Sequence, residues 1–588
     1  MRLRLVISLI VISILGIGLW IQRAPLHAAL FNLTGEEKFF AQVRALGQWT
    51  LDQLRPGLNL QPETPIQHNG VNPFGINTFL QQEVEPAKRD RQAQLIAEAG
   101  FHWLRQEFPW YDIEISGKGN FEDCRFPPCH PAWDKYDQIV DLADEYGLEI
   151  IVRLSSPPDW SRAAGSTHGA FAPPDNFSDY ADFAVAVAER YQGRLRYFQI
   201  WNEPNGNDEW GHQPVDPEAY TRLLCETYSR LKAVDPSIVV LAAALTPTNE
   251  LGGANERGGT NLNDLIYLQR MYDAGAKNCF DIMSVQGYGL FSGPTDRRMR
   301  PIVINYGRNQ FLRDVMVANG DAHKALWMAE MNWNAVPDGL GAPFGQVSEA
   351  TQARYATLAY QRAQAEWPWI GAINFWYFKD ADEHERDQPK YYFRMANPDF
   401  TLLPVYESMK AYTHQPPVMY PGWYQEDHWA VAWSQAWAWQ ADKDERAVLG
   451  AYKTTAVNTA SLSFYFYGTD LVLVTSNNSP DAKIQVNIDG ILTPYYADHW
   501  MPRNIRTYTL PEGFNKRVRL ATNLSDDLHW VSIRNFSPER IKVGIDSFIV
   551  RRVPDRTLWL MMGMGAMLAL GWWVARRRQN TDFRDARI

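Results

Sequence analysis

Two glutamates in strand-like settings carry the chemistry that this sequence suggests. The first lies in "RYFQIWNEPN", Arg196 to Asn205. Four residues of strand composition, Tyr197 to Ile200, run into Trp201-Asn202-Glu203-Pro204-Asn205. Pro204 has no donor for a ladder, so the strand must stop there, and Glu203 is expected at its carboxyl end. The second lies in "LWMAEMNWN": Ala325 to Ala329 read as a strand, and Glu330 follows it. Two carboxyl groups at the ends of different strands are the minimal equipment for breaking a glycosidic bond. A glycosidic oxygen leaves poorly unless it is protonated. One carboxyl must therefore stay neutral at working pH, its pKa lifted by burial or by a nearby negative charge. The other must stay ionised, to attack or to stabilise the cationic centre.

The elements that would position these groups alternate along the chain. Strands are expected at Pro73–Phe79, Phe101–Phe108, Leu148–Leu154, Tyr197–Ile200, Ser237–Leu245, Phe280–Tyr288, Ala325–Ala329 and Gly371–Phe378. Helices are expected between them at Lys88–Ala99, Asp134–Tyr146 and Asn176–Tyr191, after the Asp216-Pro217 start signal, and at Glu349–Glu366. The continuous apolar core of "LEIIVRL" suits a parallel strand buried on both faces. Eight such strands over roughly this length make a (β/α)8 barrel, whose chemistry sits at the carboxyl ends of the strands. The two glutamates then end the fourth and seventh strands.

After the linker composition of 414–422 the pattern changes. Leu462, Phe464 and Phe466 alternate with polar or small neighbours, as do Ile484, Val486 and Ile488 before the turn signal Asp489-Gly490. This predicts an all-β, jelly-roll-like sandwich over 420–552. Before the barrel, at 71–413, the segment 31–70 is read as a stalk helix and a polar connection. In that helix Phe39, Val43 and Leu46 share one face, and it is expected to form a stalk or pack on the barrel.

The 588 residues exceed one compact core, so several domains are expected. The formal charge is −10 and no basic stripe appears, which excludes a nucleic-acid partner. No metal-ligand spacing or dinucleotide fingerprint is present, and no cofactor is expected. Trp is unusually frequent, at 23 residues; sugar-binding sites are one reason for such a bias, and a large aromatic core, the alternative, is expected to account for most of them. Trp110, Trp160, His212 and Trp333, on expected loops above the barrel, are sugar-contact candidates. Apolar runs at 5–21 and 557–575 are each near bilayer-spanning length. The first is read as an anchor or signal. The second is followed by Arg576, Arg577 and Arg578, which open a basic tail over 576–588. The positive-inside rule puts both basic flanks in the cytoplasm and the domains between them on the extracytoplasmic side of the cell membrane. There the four cysteines can form two disulfides. Cys124 and Cys129 flank "RFPP" as a local clip. Cys225 and Cys279 are either the second pair or two buried thiols.

With these motifs in place, Val71 to Tyr412 resembles the retaining glycoside hydrolases of the large (β/α)8 clan that includes the cellulases and β-galactosidases. The nearest resemblance is to glycoside hydrolase family 39. It rests on Asn202-Glu203-Pro204 in "IWNEPN" and on Glu330 in "AEMNW". The resemblance implies that Glu203 is the acid/base and Glu330 the nucleophile. It implies that Asn202 bonds a sugar hydroxyl, Arg105 holds the nucleophile, Tyr288 donates to it, and Trp376 floors the subsite. Many clan members have His two residues before that Tyr, where this chain has Gln286. The expected activity is therefore a membrane-anchored, retaining glycosidase acting on an oligo- or polysaccharide. A transglycosylase, or a non-catalytic glycan-binding protein on the same fold, is the alternative. The sandwich resembles carbohydrate-binding or jelly-roll accessory modules at the level of fold.

Overall fold

The computed structural model describes residues 23–255, 258–490 and 505–553. The apolar runs at 5–21 and 557–575 and the tail at 576–588 lie outside the described residues. Among the described residues no helix is long and apolar enough to cross a membrane. The chain divides into two compact units, one running to Pro416 and taking in Asp427–Trp429, the other holding Pro417–Glu426 and the rest.

The first unit is built on eight parallel strands: β1 (Phe74–Thr78), β2 (Trp103–Pro109), β3 (Glu149–Ser155), β4 (Tyr197–Ile200), β5 (Val239–Leu245), β6 (Ile282–Gln286), β7 (Leu326–Met331) and β8 (Ile370–Phe375). They close in the order β1-β8-β7-β6-β5-β4-β3-β2, so each strand pairs with its sequence neighbours and the last returns to the first. An N-terminal helical hairpin, α1 (Arg23–Thr34) and α2 (Phe39–Asp52), precedes the barrel. The outer helices are α3 (Pro86–Glu98), α4 (Asp134–Glu145), α5 (Phe177–Arg190), α6 (Pro217–Val234), α7 (Asp264–Asp273), α8 (Asn309–Ala318), α9 (Glu349–Glu366) and α10 (Pro404–Thr413). Asp216 caps α6 as its sequence signals, accepting from Ala219 N at 2.8 Å. Helices α7, α8 and α10 are additions to the sequence-based expectation. α8 follows a 3-10 turn at Tyr306–Arg308, and Arg308 at its N-cap makes no side-chain cap bond, so its start carries no readable signal.

Side chains alternate across each strand, so every second residue points into the barrel. The amino end of the interior is filled by Trp103, Tyr197 and Trp327, whose ring centroids lie 4.9–5.3 Å apart. Glycine makes room for them: a Cβ at Gly371 would stand 2.1 Å from Trp327 Nε1. Two residues further along the same faces of β2 and β4 come Arg105 and Gln199. An aromatic plug thus supports a polar layer, and the carboxylates sit on that layer.

α2 packs on the barrel unit, one of the two placements expected for it, but with its apolar stripe turned outward. Phe39 and Val43 are exposed, while Gln42, Ala45 and Asp52 face inward. Helical spacing identifies an apolar stripe but not the side on which it lies. The inward polar residues are tied by hydrogen bonds: Gln42 Nε2 donates to Glu36 O at 2.8 Å, and Asp52 accepts from Arg300 Nε at 2.5 Å.

The second unit is a two-sheet, predominantly antiparallel sandwich. One sheet runs 418–419, 461–468, 527–535, 483–488, 505–509, and the other 440–443, 451–455, 543–551, 470–475, 516–521. The alternating Leu462, Phe464 and Phe466 fill its core, with Phe464 packed 4.9 Å from Phe548 between ring centroids. Strand 461–468 buries one face and leaves the other largely to solvent, whereas 470–475 and 543–551 are buried on both faces, the second face covered by Trp423, Val448 and their neighbours.

Candidate active site

β4 ends as its sequence demands, with the chain leaving through two left-handed residues, Trp201 (φ 72°) and Glu203 (φ 38°). Bulky and acidic side chains rarely adopt this region, and such outliers persist only where their surroundings enforce them. Here the enforcement is visible. The Trp201 ring is buried, and its Nε1 donates to Glu209 O at 2.9 Å. Glu203 N donates to Ala244 O at 2.9 Å, and Gly206 N donates to Glu203 O at 2.7 Å. The turn therefore fixes the Glu203 backbone over the mouth of the barrel.

Glu330 lies inside β7, a correction to the expectation that the strand ends at Ala329. Trp327 faces the interior, so strict alternation would turn Ala329 inward and Glu330 outward. The register shifts between β6 and β7 instead: Val285 pairs with Met328, and Gln286 pairs with Glu330. This irregularity re-aims one side chain, a recurrent use of bulges near active sites. Glu330 is then gripped by two donors. Arg105 Nη1 donates to Oε1 at 2.9 Å and Tyr288 OH donates to Oε2 at 2.7 Å. The same guanidinium donates through Nε to Gln199 Oε1 at 2.9 Å and through Nη2 to Asn202 Oδ1 at 2.7 Å. Nη1 also reaches Asn77 Oδ1 at 2.6 Å. Four acceptors, from β1, β7, β4 and the turn just after β4, thus share one rigid fork.

Glu203 has the opposite environment. Its carboxyl is pushed up to about 8, first by burial, then by the negative charges of Glu330 and Glu209. Donation from Gln286 Nε2 to Glu203 Oε1 at 2.5 Å offsets part of this. Gln286 stands where many clan members carry His, and in this chain its contact is to Glu203. Its Oε1 is buried without a partner among the described residues. Two carboxyls of one site thus stand in different environments: Glu330 is gripped by a guanidinium and a phenol, and the Glu203 carboxyl is pushed up by burial and by neighbouring negative charge.

Sequence reasoning missed a third carboxyl, Glu209, in the loop after β4. Asn202 Nδ2 donates to its Oε1 at 3.3 Å. Burial raises it to about 7 against the pull of Arg153. Arg153 is committed to Glu107, 2.7 Å away. The missed signal was the acidic pair Asp208-Glu209 within six residues of Glu203. Asn77 and Gln199 were missed as well; a polar residue in an otherwise apolar strand was their only mark.

The remaining candidates divide. Trp376, just past β8, is partly exposed and packs edge-on against Phe79 at 5.6 Å. Trp160 is partly exposed and lines a cavity of about 540 Å3 with Tyr111, Arg125 and Asp159, among the loops after β2 and β3. Trp333 offers a sugar nothing. It is fully buried, its Nε1 donates to Ser292 O at 2.7 Å, and a Cβ on Gly289 would collide with its ring. Trp110 is also buried, with Nε1 donating to Glu114 Oε2 at 2.6 Å. Both lie at loop positions by sequence, but their large apolar rings are drawn into the packing under those loops. His212 is exposed and lies 3.1 Å from Asp208. Cys124–Cys129 and Cys225–Cys279 are disulfides.

The strand ends of this barrel bring together Glu330, gripped by Arg105 and Tyr288, and Glu203, whose carboxyl is pushed up by burial. Residues 64–273 match the sequence profile of the cellulases, glycosyl hydrolase family 5. The match runs from just before β1 through α7 and takes in five of the eight barrel strands. Solved structures with a similar course include a GH39 enzyme from Xanthomonas axonopodis pv. citri (16% identity, TM-score 0.43, 81% of this chain and 96% of that one). A monomeric beta-xylosidase from Caulobacter crescentus CB15 is similar at 14% identity and TM-score 0.42, over 82% of this chain and 99% of that one. A family 39 glycoside hydrolase from Bacteroides cellulosilyticus WH2 is similar at 14% and 0.43, over 80% and 83%. Likenesses of this size leave the functional argument to the site itself. No curated protein matches the chain.

Proposed function

We propose that the chain is a retaining glycosidase that cleaves O-glycosidic bonds of an oligo- or polysaccharide by double displacement. Its apolar ends would hold it in the cell membrane with the barrel on the extracytoplasmic side. The observation that carries the chemical part is the pairing of Glu330, held by Arg105 and Tyr288, with Glu203, protonated up to about pH 8. In the first step Glu203 gives its proton to the leaving oxygen while Glu330 attacks the anomeric carbon. The glycosyl ester that forms carries no charge. The Glu330 contribution to the raised Glu203 pKa then vanishes, and Glu203 becomes acidic enough to act as base. It takes a proton from water, the water oxygen displaces Glu330, and configuration is retained. Asn202, oriented by Arg105 and Glu209, is placed to bond a sugar hydroxyl.

The test is to incubate the protein with a panel of polysaccharides and aryl glycosides, following new reducing ends, product masses and the anomer first released. Wild type should cleave one class with retention, and Glu203→Gln and Glu330→Gln should each lose nearly all activity. Cleavage that survives in both variants, or an inverted first product, would refute the assignment.

A further inference from the structure

The exposed face of α2 is unusually apolar. Phe40 is 87% exposed, Val43 50% and Leu51 60%, and Leu54 in the following turn is 82% exposed. With Gly47 these fall at i, i+3, i+7, i+11 and i+14, one continuous stripe on a helix. Phe39, 49% exposed, widens it, and the exposed cations Arg44 and Arg55 border it on one side. The opposite face is occupied by packing within the barrel unit, so the stripe is not a core face that slipped outward. A soluble helix would place polar residues there.

The hairpin is also tied down firmly. Gly293 N donates to Gly35 O at 2.7 Å, Thr295 Oγ1 to Phe31 O at 2.6 Å and Arg297 N to Leu33 O at 3.1 Å. Arg298 pairs with Glu36 at 2.9 Å, and Arg300 with buried Asp52. All of these partners lie on 293–300, the segment that leaves the site just after Tyr288. The stripe is thus a rigid outer surface, fixed to the barrel by a loop of the active site.

Two facts select the occupant. The apolar run at 5–21 ends two residues before α1 begins, and α1 has 12 residues, about 18 Å of helix. Wherever that run leaves a bilayer, the stripe is within reach of the same surface. The stripe also has the composition of a helix lying in a membrane interface: aromatic and aliphatic side chains on one face, with arginines at its edge for anionic headgroups. We infer that α2 lies in the headgroup region of the bilayer that anchors the chain, its Phe40–Leu54 stripe inserted, and that it sets the standing of the barrel at the membrane. This rests on the membrane-anchored reading above.

The four native cysteines are all paired, so an introduced thiol is the only reactive one. The full chain carrying Phe40→Cys, Leu54→Cys or, as a control on the exposed turn before β5, Ser237→Cys is labelled with an environment-sensitive dye. It is then reconstituted in phosphatidylcholine–phosphatidylglycerol vesicles with or without lipid bearing a headgroup nitroxide. The expected result is flotation with the vesicles, with severalfold stronger nitroxide quenching at positions 40 and 54 than at 237. Flotation with equal quenching at all three overturns the docking and leaves the anchoring intact. Dry emission at 40 and 54 that lipid nitroxide does not touch also overturns it, in favour of a second copy or another segment of this chain. Failure to float removes the anchored reading and the docking together.

Discussion

Arg105 and Glu330, on β2 and β7, meet at 2.9 Å with both side chains almost wholly shielded from solvent. Such a pair is costly to desolvate, and its members depend on each other. Replacing Arg105 by Met strands the Glu330 charge and also frees Asn77, Gln199 and Asn202. The expected loss is on the order of 3–5 kcal/mol of stability, read from denaturant melts, with at least about a hundredfold loss of kcat. Arg105→Lys keeps the charge but not the fork. It should recover much of the stability and little of the activity. Equal recovery of both would mean that Arg105 contributes charge alone.

The donation from Gln286 to Glu203 favours the ionised carboxyl, so it lowers a pKa that burial and two neighbouring charges raise. Gln286→Leu removes that donor. Glu203 should then stay protonated to higher pH, and the alkaline limb of kcat/KM should move above its wild-type position near 8. A limb that moves down would show that Gln286 accepts from the protonated acid, with its amide turned over.

Glu209 acts in the other direction. Its charge raises Glu203, and it titrates itself near 7. Glu209→Gln keeps the shape and the bond to Asn202 while removing the charge. The alkaline limb should fall below its wild-type position, with a KM change no larger than severalfold. An unmoved limb together with a large rise in KM would make Glu209 a substrate contact and not an electrostatic neighbour.

Much of this site was legible because two of its features are local. Pro204 stops a strand, and four buried strand residues before it fix where Glu203 must stand. The aromatic plug and the Arg105 layer follow from period-two alternation once the barrel is recognised. Glu330 needed more. Its inward aim depends on a register shift against β6, which is a property of two strands and leaves no trace in one of them. The loop tryptophans show the same limit. Trp333 and Trp160 have similar sequence settings, and only the packing of Tyr306 and Tyr355 onto Trp333 decides that it is core. The outward stripe of α2 was visible as a period, but its side was not, because burial of Gln42 and Asp52 depends on distant partners at 299 and 300 and on the hairpin itself.

The raised pKa of Glu203 has a consequence for stability that can be tested without substrate. Its value in the folded state, about 8, lies above the ordinary 4.5 of an unfolded glutamate. The folded state therefore binds this proton more tightly than the unfolded state does. The stability from the neutral carboxyl is fully present below about pH 4.5 and is lost as pH rises through about 8. Glutamine is close in shape to the protonated acid and cannot ionise. Glu203→Gln should therefore melt with wild type at about pH 4.5 and above it at about pH 9. A tenfold difference in proton affinity between the folded and unfolded chain corresponds to about 1.4 kcal/mol. Partial exposure of Glu203 and its shared field with Glu330 reduce what is recovered, to a gain on the order of 1 kcal/mol or more at about pH 9. Thermal melts of the two proteins across that range decide the matter. Curves that stay parallel throughout would falsify the raised pKa and, with it, the assignment of Glu203 as the group that carries the proton.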